Sequence, residues 1–303
     1  MTGTGISQGS SLNHGMSRNI GTLRDYNRSP DLASPKAWTL YARSTYARRC
    51  LAMNEPHTSP IEPRPAVLLP PDSLTAYALS GLLWGAGVSW LLPMMGLQMA
   101  MYRIVDPRRL QWLERLYTRG QVALTGTRLR CVVHPAIDPS RPYVFFQNHV
   151  NHLDHCTMYT ATPHFKQGVE LEEHFRYPVY GQFMRSRGTI PVRRGDPAQL
   201  RRLVARMREE RERGSSLLVF PEGTRTVTGH LGEFQPGLFR IVQQLGAPIV
   251  PVTVTGMYRV MRKGSYLIRP GHRVTVYCDE PIETAQLSRR DVPGLIERVR
   301  GVM

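Results

Sequence analysis

A histidine and an aspartate lie five residues apart just after a short apolar segment near the middle of the chain. Residues 143–147 predict a buried strand, and His149 and Asp154 follow it where a helix begins. Side chains five residues apart point about 140° away from each other on a regular helix, so they meet only if His149 precedes the helix. Asp154 then orients the imidazole, and His149 is a general base toward a hydroxyl group.

The same segment allows two other interpretations. Metal-binding side chains crowd together there at helical spacing, namely His149, His152, His155, Asp154 and Cys156. No second pair of ligands with a matching spacing follows downstream, which argues against a metal site. In the other interpretation, Asn148 or Asn151 caps a helix and the histidines are ordinary surface residues.

Two further clusters place charged side chains at the ends of predicted strands. Residues 220–225 read Phe-Pro-Glu-Gly-Thr-Arg, so Glu222 and Arg225 project from a turn at the edge of a sheet. A guanidinium group there suits a phosphate or carboxylate, while Glu222 binds a glycerol-type hydroxyl or holds an arginine. Residues 188–194 form a short strand that ends in two arginines, of which at most one faces the site. A surface salt bridge and a solvated basic face are the alternatives.

The surrounding sequence alternates between strand and helix patterns. Strands are predicted at residues 129–134, 143–147, 189–192, 216–220, 249–254 and 274–277. Helices are predicted at residues 151–160, 179–186, 197–213, 236–245 and 292–300. This alternation predicts an α/β fold with a mostly parallel central sheet flanked by helices.

An apolar segment precedes this domain. Residues 73–102 contain no charged residue and are long enough to cross a membrane. Several glycines and Pro93 interrupt the segment, so we predict either one kinked helix or two short re-entrant helices; a buried helical hairpin of a soluble protein is the alternative. Arginines follow at once, which favours the cytoplasmic face of the membrane.

Composition restricts the possible partners and the compartment. The formal net charge of +16 favours an anionic partner, which can be nucleic acid, a membrane surface, a phosphate substrate or an acidic carrier protein. The 4 cysteines are widely spaced, so a reducing compartment is expected. Residues 1–30 lack an apolar core behind a basic start, so no signal peptide is predicted. Residues 1–72 are polar and are predicted to be disordered apart from a short helix at 37–53.

In this order, the clusters resemble the sequence blocks of the PlsC-like glycerolipid acyltransferases, the lysophosphatidate acyltransferase family. The family's Asn-His-x4-Asp block matches Asn148, His149 and Asp154. Its Gly-x-Ile block resembles residues 188–194, its Phe-Pro-Glu-Gly-Thr-Arg block matches residues 220–225, and its Pro-Ile-Val-Pro-Val block matches residues 248–252. The resemblance covers about residues 75–280. It departs from the family at Asn151, His152 and Thr226, where Ser, a bulky aromatic residue and Ser are common.

The resemblance implies an enzyme mechanism. His149, backed by Asp154, would deprotonate a lipid hydroxyl, which attacks the thioester of acyl-CoA or an acyl-carrier protein. No metal and no cofactor other than this co-substrate is expected. Substrate-binding roles would fall to Glu222, Gly223, Thr224, Arg225, Arg194 and Asn148.

The resemblance also implies a substrate and an organisation. The default acceptor is 1-acyl-glycerol-3-phosphate, which gives phosphatidic acid; a lyso-ornithine lipid, glycerol-3-phosphate and a non-catalytic membrane-binding relative are the alternatives. Nucleic acid is not an expected partner, because no binding motif accompanies the charge. We expect disordered polar residues 1–72, a membrane-associated helical segment at 73–122, and an acyltransferase domain at 123–303 on the cytoplasmic face, of the inner membrane if the source is bacterial.

Overall fold

The computed structural model describes residues 72–193 and 197–303, and of residues 197–200 only the backbone. The segment predicted to be disordered, residues 1–72, lies outside the described residues except for Asp72. The predicted helix at residues 37–53 also lies outside them. Arg194, predicted to bind substrate, also lies outside them.

In the described residues, strands form one seven-stranded sheet in the order β1-β7-β6-β2-β5-β3-β4. These strands are Arg128–Val133 (β1), Val144–Gln147 (β2), Lys166–Leu171 (β3), Ile190–Val192 (β4), Ser216–Val219 (β5), Ile249–Thr255 (β6) and Arg273–Cys278 (β7). Neighbouring strands are parallel except β6 and β7, which are antiparallel. The predicted mostly parallel sheet is therefore confirmed.

Helices cover both faces of the sheet. They are Leu74–Met101 (α1), Gln111–Ala123 (α2), Asp154–Ala161 (α3), Tyr180–Arg187 (α4), Pro197–Glu212 (α5), Pro236–Leu245 (α6), Met257–Val260 (α7) and Val292–Val302 (α8). Because side chains alternate along a strand, Phe145 of β2 packs in the core on the side of α3, whereas Val144 and Phe146 pack in the core beneath α5, α6 and α8.

Helix α1 is one continuous helix of 28 residues, about 42 Å long at the usual rise per residue. It runs through Pro93 without a break, so a pair of short re-entrant helices is not what the chain forms. One stripe of the helix is buried, formed by Ser80, Gly87, Met95 and Gln98. Only 17% of its most apolar part is buried, and it is long and apolar enough to cross a membrane.

The other face of α1 carries large apolar side chains that remain exposed, among them Leu74, Leu82 and Leu92. Such a contiguous surface is typical of a membrane or protein contact. Helix α2 follows and packs against both α1 and α3. From the sequence, this helix was included in the membrane-associated segment, which was predicted to end at residue 122. That division of the chain stays a prediction.

A close contact joins α1 to α2. A Cβ atom at Gly120 would lie 2.4 Å from the ring of Trp90, whose Nε1 donates to the carbonyl oxygen of Tyr117 at 3.0 Å. We expect Gly120→Ala to destabilise the protein by about 1–3 kcal/mol, because the added methyl group overlaps the indole and displaces it from this hydrogen bond. Thermal unfolding in detergent measures the effect.

Gly294 in α8 provides the matched control, because a Cβ atom there meets nothing within 4 Å. Gly294→Ala should be neutral or slightly stabilising, since alanine is the better helix former. Equal melting temperatures for the two variants would contradict the proposed contact between α1 and α2.

Candidate active site

The predicted clusters meet at one edge of the sheet. Strand β2 is flanked by β5 and β6, and all three run parallel, so their carboxyl ends lie together. His149 follows β2, and the loop at residues 220–225 follows β5. This edge of a parallel sheet is where ligand sites of α/β folds usually lie.

His149 and Asp154 are in contact. The Nδ1 atom of His149 lies 2.8 Å from Oδ2 of Asp154, whose side chain is fully buried, while 23% of the imidazole is exposed. An ionised carboxylate only accepts hydrogen bonds, so we assign the proton to Nδ1 and a free lone pair to Nε2. The arrangement is one in which a carboxylate orients a base.

The Asp154 carboxylate also shapes the turn that carries His149. Its Oδ2 accepts the backbone N–H groups of Val150 and of Asn151, the latter at 2.9 Å. Because these residues are held in a turn by the carboxylate, helix α3 begins at Asp154 and not at residue 151 as predicted. His149 consequently lies before the helix, which is the condition under which the two side chains can meet.

Asn148 fixes the turn to the neighbouring strand. Its Nδ2 donates to the carbonyl oxygen of Val254 at 3.0 Å, and its Oδ1 accepts the Val254 N–H at 2.7 Å. Both ends of the side-chain amide are therefore engaged by β6. This geometry positions the backbone beside His149, and a contact of Asn148 with substrate stays a prediction.

Glu222 joins three segments of the site. One carboxylate oxygen accepts the backbone N–H of His149 at 2.7 Å, and the other accepts the N–H of Gly232 at 2.7 Å. Burial raises the pKa of Glu222, and the two backbone hydrogen bonds oppose this shift. Glu222 thus holds the backbone of His149, and no arginine side chain is bonded to it among the described residues.

We expect Glu222→Gln to cost about 1–3 kcal/mol of stability and to lower activity, because one amide NH2 would face a backbone N–H donor without an acceptor. Chemical denaturation and an acyl-transfer assay measure the two effects. Glu283→Gln is the matched control, since Glu283 forms an exposed ion pair with Arg141 and should cost less than about 1 kcal/mol. Similar losses for both variants would show that the buried carboxylate has no special role.

The backbone of the loop at residues 220–226 is tightly constrained. Gly223 has φ +65°, in the region that favours glycine, and a Cβ atom there would lie 3.1 Å from Cγ of Gln235. The N–H of Thr226 donates to the carbonyl oxygen of His149 at 2.8 Å. Gly223 therefore shapes the loop, and Thr226 joins it to the turn that carries the base.

An aromatic ring lies against the imidazole. The rings of His149 and Phe220 stack with centroids 3.9 Å apart and planes at 16°. Phe220 also packs on the apolar core together with Leu153, Leu83 and Trp84, the last two from α1. The ring beside His149 thus belongs to the same apolar core on which α1 packs.

Arg225 is held by a second histidine. Its Nη1 lies 2.6 Å from Nε2 of His152, so the neutral imidazole accepts a hydrogen bond from the guanidinium. Burial, followed by the charge of Arg225, lowers the pKa of His152, which favours this neutral form. His152 departs from the family pattern, and its contact with Arg225 could not be read from the sequence.

Thr224 contacts a residue that sequence reasoning did not single out. The Nζ atom of Lys263 donates to Oγ1 of Thr224 at 3.0 Å. A lone lysine in a polar loop gives no local signal, because nothing in its spacing relates it to residues 220–225. Two consecutive arginines end the segment of β4, and at most one of them was predicted to face the site. The first, Arg193, forms an exposed ion pair with Glu172.

The metal interpretation finds no support in the described residues. Among residues 72–193 and 197–303, no three side chains of the ligand types are arranged to hold a metal ion. His155 Nε2 lies 3.3 Å from the sulfur of Cys156, and burial lowers the pKa of His155 to about 4. These two residues are engaged with each other in the interior and not with His149.

Part of the chain is similar in sequence to known proteins. Residues 128–255 match the family model described as "Acyltransferase". The chain is 35% identical over 141 residues to a chloroplastic 1-acyl-sn-glycerol-3-phosphate acyltransferase of Brassica napus. The aligned region covers 46% of this chain and 41% of that protein. The chain is 32% identical over 160 residues to the 1-acyl-sn-glycerol-3-phosphate acyltransferase of Limnanthes douglasii, covering 52% of this chain and 57% of that protein. The chain thus spans about half the length of these curated relatives.

A solved structure shares the fold. The crystal structure of the 1-acyl-sn-glycerophosphate acyltransferase PlsC from Thermotoga maritima superposes with a TM-score of 0.63. The match covers 76% of this chain and 96% of that chain at 19% sequence identity. The predicted α/β fold is therefore that of a known acyltransferase structure.

Proposed function

We propose, because residues 128–255 match the acyltransferase family model, that this chain transfers a fatty acyl group to the hydroxyl of a lysophospholipid. The observation that carries the proposal is the hydrogen bond of 2.8 Å between His149 and the buried Asp154, at the same sheet edge as Arg225. Relatives named as 1-acyl-sn-glycerol-3-phosphate acyltransferases favour 1-acyl-glycerol-3-phosphate as the acceptor and phosphatidic acid as the product.

In the proposed reaction, Nε2 of His149 removes the proton of the acceptor hydroxyl as its oxygen attacks the carbonyl carbon of the acyl thioester. Asp154 stabilises the imidazolium that forms, because its carboxylate lies 2.8 Å from Nδ1. The tetrahedral intermediate then expels the thiolate, which takes the proton from His149. An ester bond forms, a thioester bond breaks, and His149 returns to its neutral state.

The anionic group of the acceptor has a binding residue nearby. The guanidinium of Arg225 is suited to binding two phosphate oxygens. Its hydrogen-bond partner His152 is neutral, so the positive charge of Arg225 is not neutralised by this contact. Gly223 and Thr224 shape the same loop. Arg194 stays a predicted substrate-binding residue. We assign Glu222 and Asn148 to positioning, since their polar atoms bond to backbone groups.

The lipid acceptor is proposed to reach the site from a membrane. Leu83 and Trp84 of α1 pack against the same core as Phe220 and Leu153, so α1 is joined through apolar contacts to the ring that stacks on His149. This connection between the exposed apolar helix and the site is the basis of the proposal. We place the active site on the cytoplasmic face, where the arginines that follow α1 would contact anionic head groups.

An acceptor panel tests the proposal. The purified chain, supplied with labelled acyl-CoA and, separately, with labelled acyl-carrier protein, is offered lysophosphatidate, glycerol-3-phosphate and a lyso-ornithine lipid. We expect labelled phosphatidate from lysophosphatidate, and the more effective of the two donors identifies the co-substrate. Absence of acyl transfer to every acceptor with both donors would refute the enzyme function and favour a membrane-binding protein.

A further inference from the structure

The loop between β6 and β7 brings a lysine to the site from outside the region that matches the acyltransferase family, which ends at residue 255. The N–H of Ser265 donates to the carbonyl oxygen of Arg262 at 3.2 Å, and Gly264 has φ +81°. This is a tight turn that requires glycine, and it presents Lys263 at its tip. From there, Nζ of Lys263 reaches Oγ1 of Thr224 at 3.0 Å.

The same loop is attached to the apolar helix. Nε1 of Trp84 donates to the carbonyl oxygen of Tyr266 at 2.6 Å, and the N–H of Ile268 donates to Oγ of Ser80 at 2.9 Å. The ring of Tyr266 lies parallel to that of His152, with centroids 6.4 Å apart and planes at 10°. The position of Lys263 is therefore determined by α1 on one side and by the site on the other.

Two cations in the described part of the site are not paired with the carboxylates there, which bond to His149 and to backbone N–H groups. Within residues 72–193 and 197–303, Arg225 and Lys263 form no ion pair with a carboxylate, whereas Arg187, Arg193 and Arg206 do. Lys263 contacts Thr224, which precedes Arg225 in the chain. The ammonium group of Lys263 and the guanidinium group of Arg225 therefore both lie at the loop of residues 220–226. Two unpaired positive charges favour an anion with two negative charges over one with a single charge.

We propose that Lys263 is a second cation of the acceptor site and that, together with Arg225, it selects a phosphomonoester head group over a phosphodiester. This deepens the proposed function and rests on it. A phosphomonoester carries nearly two negative charges at neutral pH and offers three oxygens. Arg225 can bind two of these oxygens in its planar fork, and the Lys263 ammonium, a compact charge, can bind the third. A phosphodiester has one charge and two such oxygens, so it gains little from Lys263.

Kinetics of Lys263→Met test the proposal. With lysophosphatidate as acceptor, we expect the KM for the acceptor to rise about ten-fold or more, because a charge-assisted hydrogen bond is lost. The KM for the acyl donor should stay within about two-fold. With lysophosphatidylglycerol, a phosphodiester, activity should change by less than about two-fold, so that the preference for the monoester falls.

Two variants separate this role from a general loss of positive charge. Lys263→Arg keeps the charge and should recover most of the acceptor affinity. Arg298→Gln removes an exposed charge from α8 and should leave both KM values unchanged. If Lys263→Met leaves the acceptor KM unchanged, or raises it equally for both head groups, Lys263 is not a cation of this site.

A labelling experiment gives a readout independent of turnover. The chain has lysines only at positions 36, 166 and 263, and Lys166 is fully buried, so an amine reagent followed by mass spectrometry resolves Lys263. In the His149→Ala variant, lysophosphatidate should protect Lys263 at least about five-fold better than lysophosphatidylglycerol. Protection without any acyl transfer by the unmodified protein would sustain this site while refuting the proposed reaction. Equal reactivity with either lipid would overturn the inference.

Discussion

Replacement of His149 by alanine is expected to lower the rate of acyl transfer by about 10²–10⁴-fold. The imidazole is the group positioned to take the hydroxyl proton, since Nδ1 is occupied by Asp154 at 2.8 Å and the ring is partly exposed. The folded state should be little changed, because the turn is held by the Asp154 and Glu222 carboxylates through backbone N–H groups. Steady-state acyl transfer, together with a melting curve and vesicle binding, measures these expectations.

The chain offers a closely matched control for this experiment. His174 also lies 2.8 Å from a carboxylate, that of Glu170, but both side chains are about one-third exposed and are not part of the site. His174→Ala should keep activity within about two-fold of the unmodified protein. If His149→Ala were as active as His174→Ala, His149 would not be the base and the proposed mechanism would be wrong.

The largest expected loss of stability follows from a buried ion pair at the amino end of β3. Arg187 and Glu114 are both buried and bonded through Nε and Oε1 at 2.5 Å, which joins α4 to α2. The guanidinium also donates to Oε1 of Gln167 at 2.7 Å and to the carbonyl oxygen of Lys166 at 2.6 Å, both in β3. Arg187→Met should destabilise the protein by about 3–5 kcal/mol, because it leaves a buried carboxylate without its partner.

Denaturant unfolding of three variants measures this effect. The double variant Arg187→Met with Glu114→Gln should regain part of the loss, since it removes the uncompensated charge as well. Arg193→Met is the control: its ion pair with Glu172 is exposed, so it should cost less than about 1 kcal/mol. A cost for Arg187→Met that is no greater than for Arg193→Met would show that the buried pair contributes little.

These two predictions concern different parts of the same assembly. Helix α2 carries Glu114 and also holds α1 through Trp90, while α4 and β3 lie on the other side of the ion pair. Loss of the pair should therefore loosen the attachment of the apolar helix as well as the sheet. Loss of His149 should affect only the chemistry. Comparing vesicle binding of the two variants separates these outcomes.

The amino-acid sequence by itself was sufficient for the fold class and for the segments that bear the site. Strands such as β5, Ser216–Val219, are short apolar segments bounded by turn residues, so their period and length identify them locally. The same holds for α6, whose predicted bounds at residues 236–245 are those observed. The charge-free composition of residues 74–101 likewise identified the apolar helix. Such features depend on neighbours in sequence, which is why they can be predicted.

Other elements have no local pattern. Strand β3 contains Lys166, Gln167, Gly168 and Glu170, so its sequence does not resemble a buried strand, and no strand was predicted there. It becomes a strand because β5 and β4 pair with it on either side and because Arg187 satisfies its polar groups. Helix α2 was predicted only as part of the helical segment at residues 73–122, and its place is determined by packing against α1 and α3.

Within the site, the tertiary structure decided what each polar side chain does. The sequence indicated that His149, Glu222 and Arg225 belong together. The hydrogen-bonded partners, however, are 73 residues apart in the chain, both for Glu222 with His149 and for Arg225 with His152. Lys263 reaches Thr224 across 39 residues. Hydrogen bonds over such separations depend on how the strands are ordered in the sheet, and no periodicity in the chain encodes that order. The sequence thus determined which groups are available for chemistry, and only the folded chain determined which of them hold the backbone in place and which keep their polar atoms free of backbone partners.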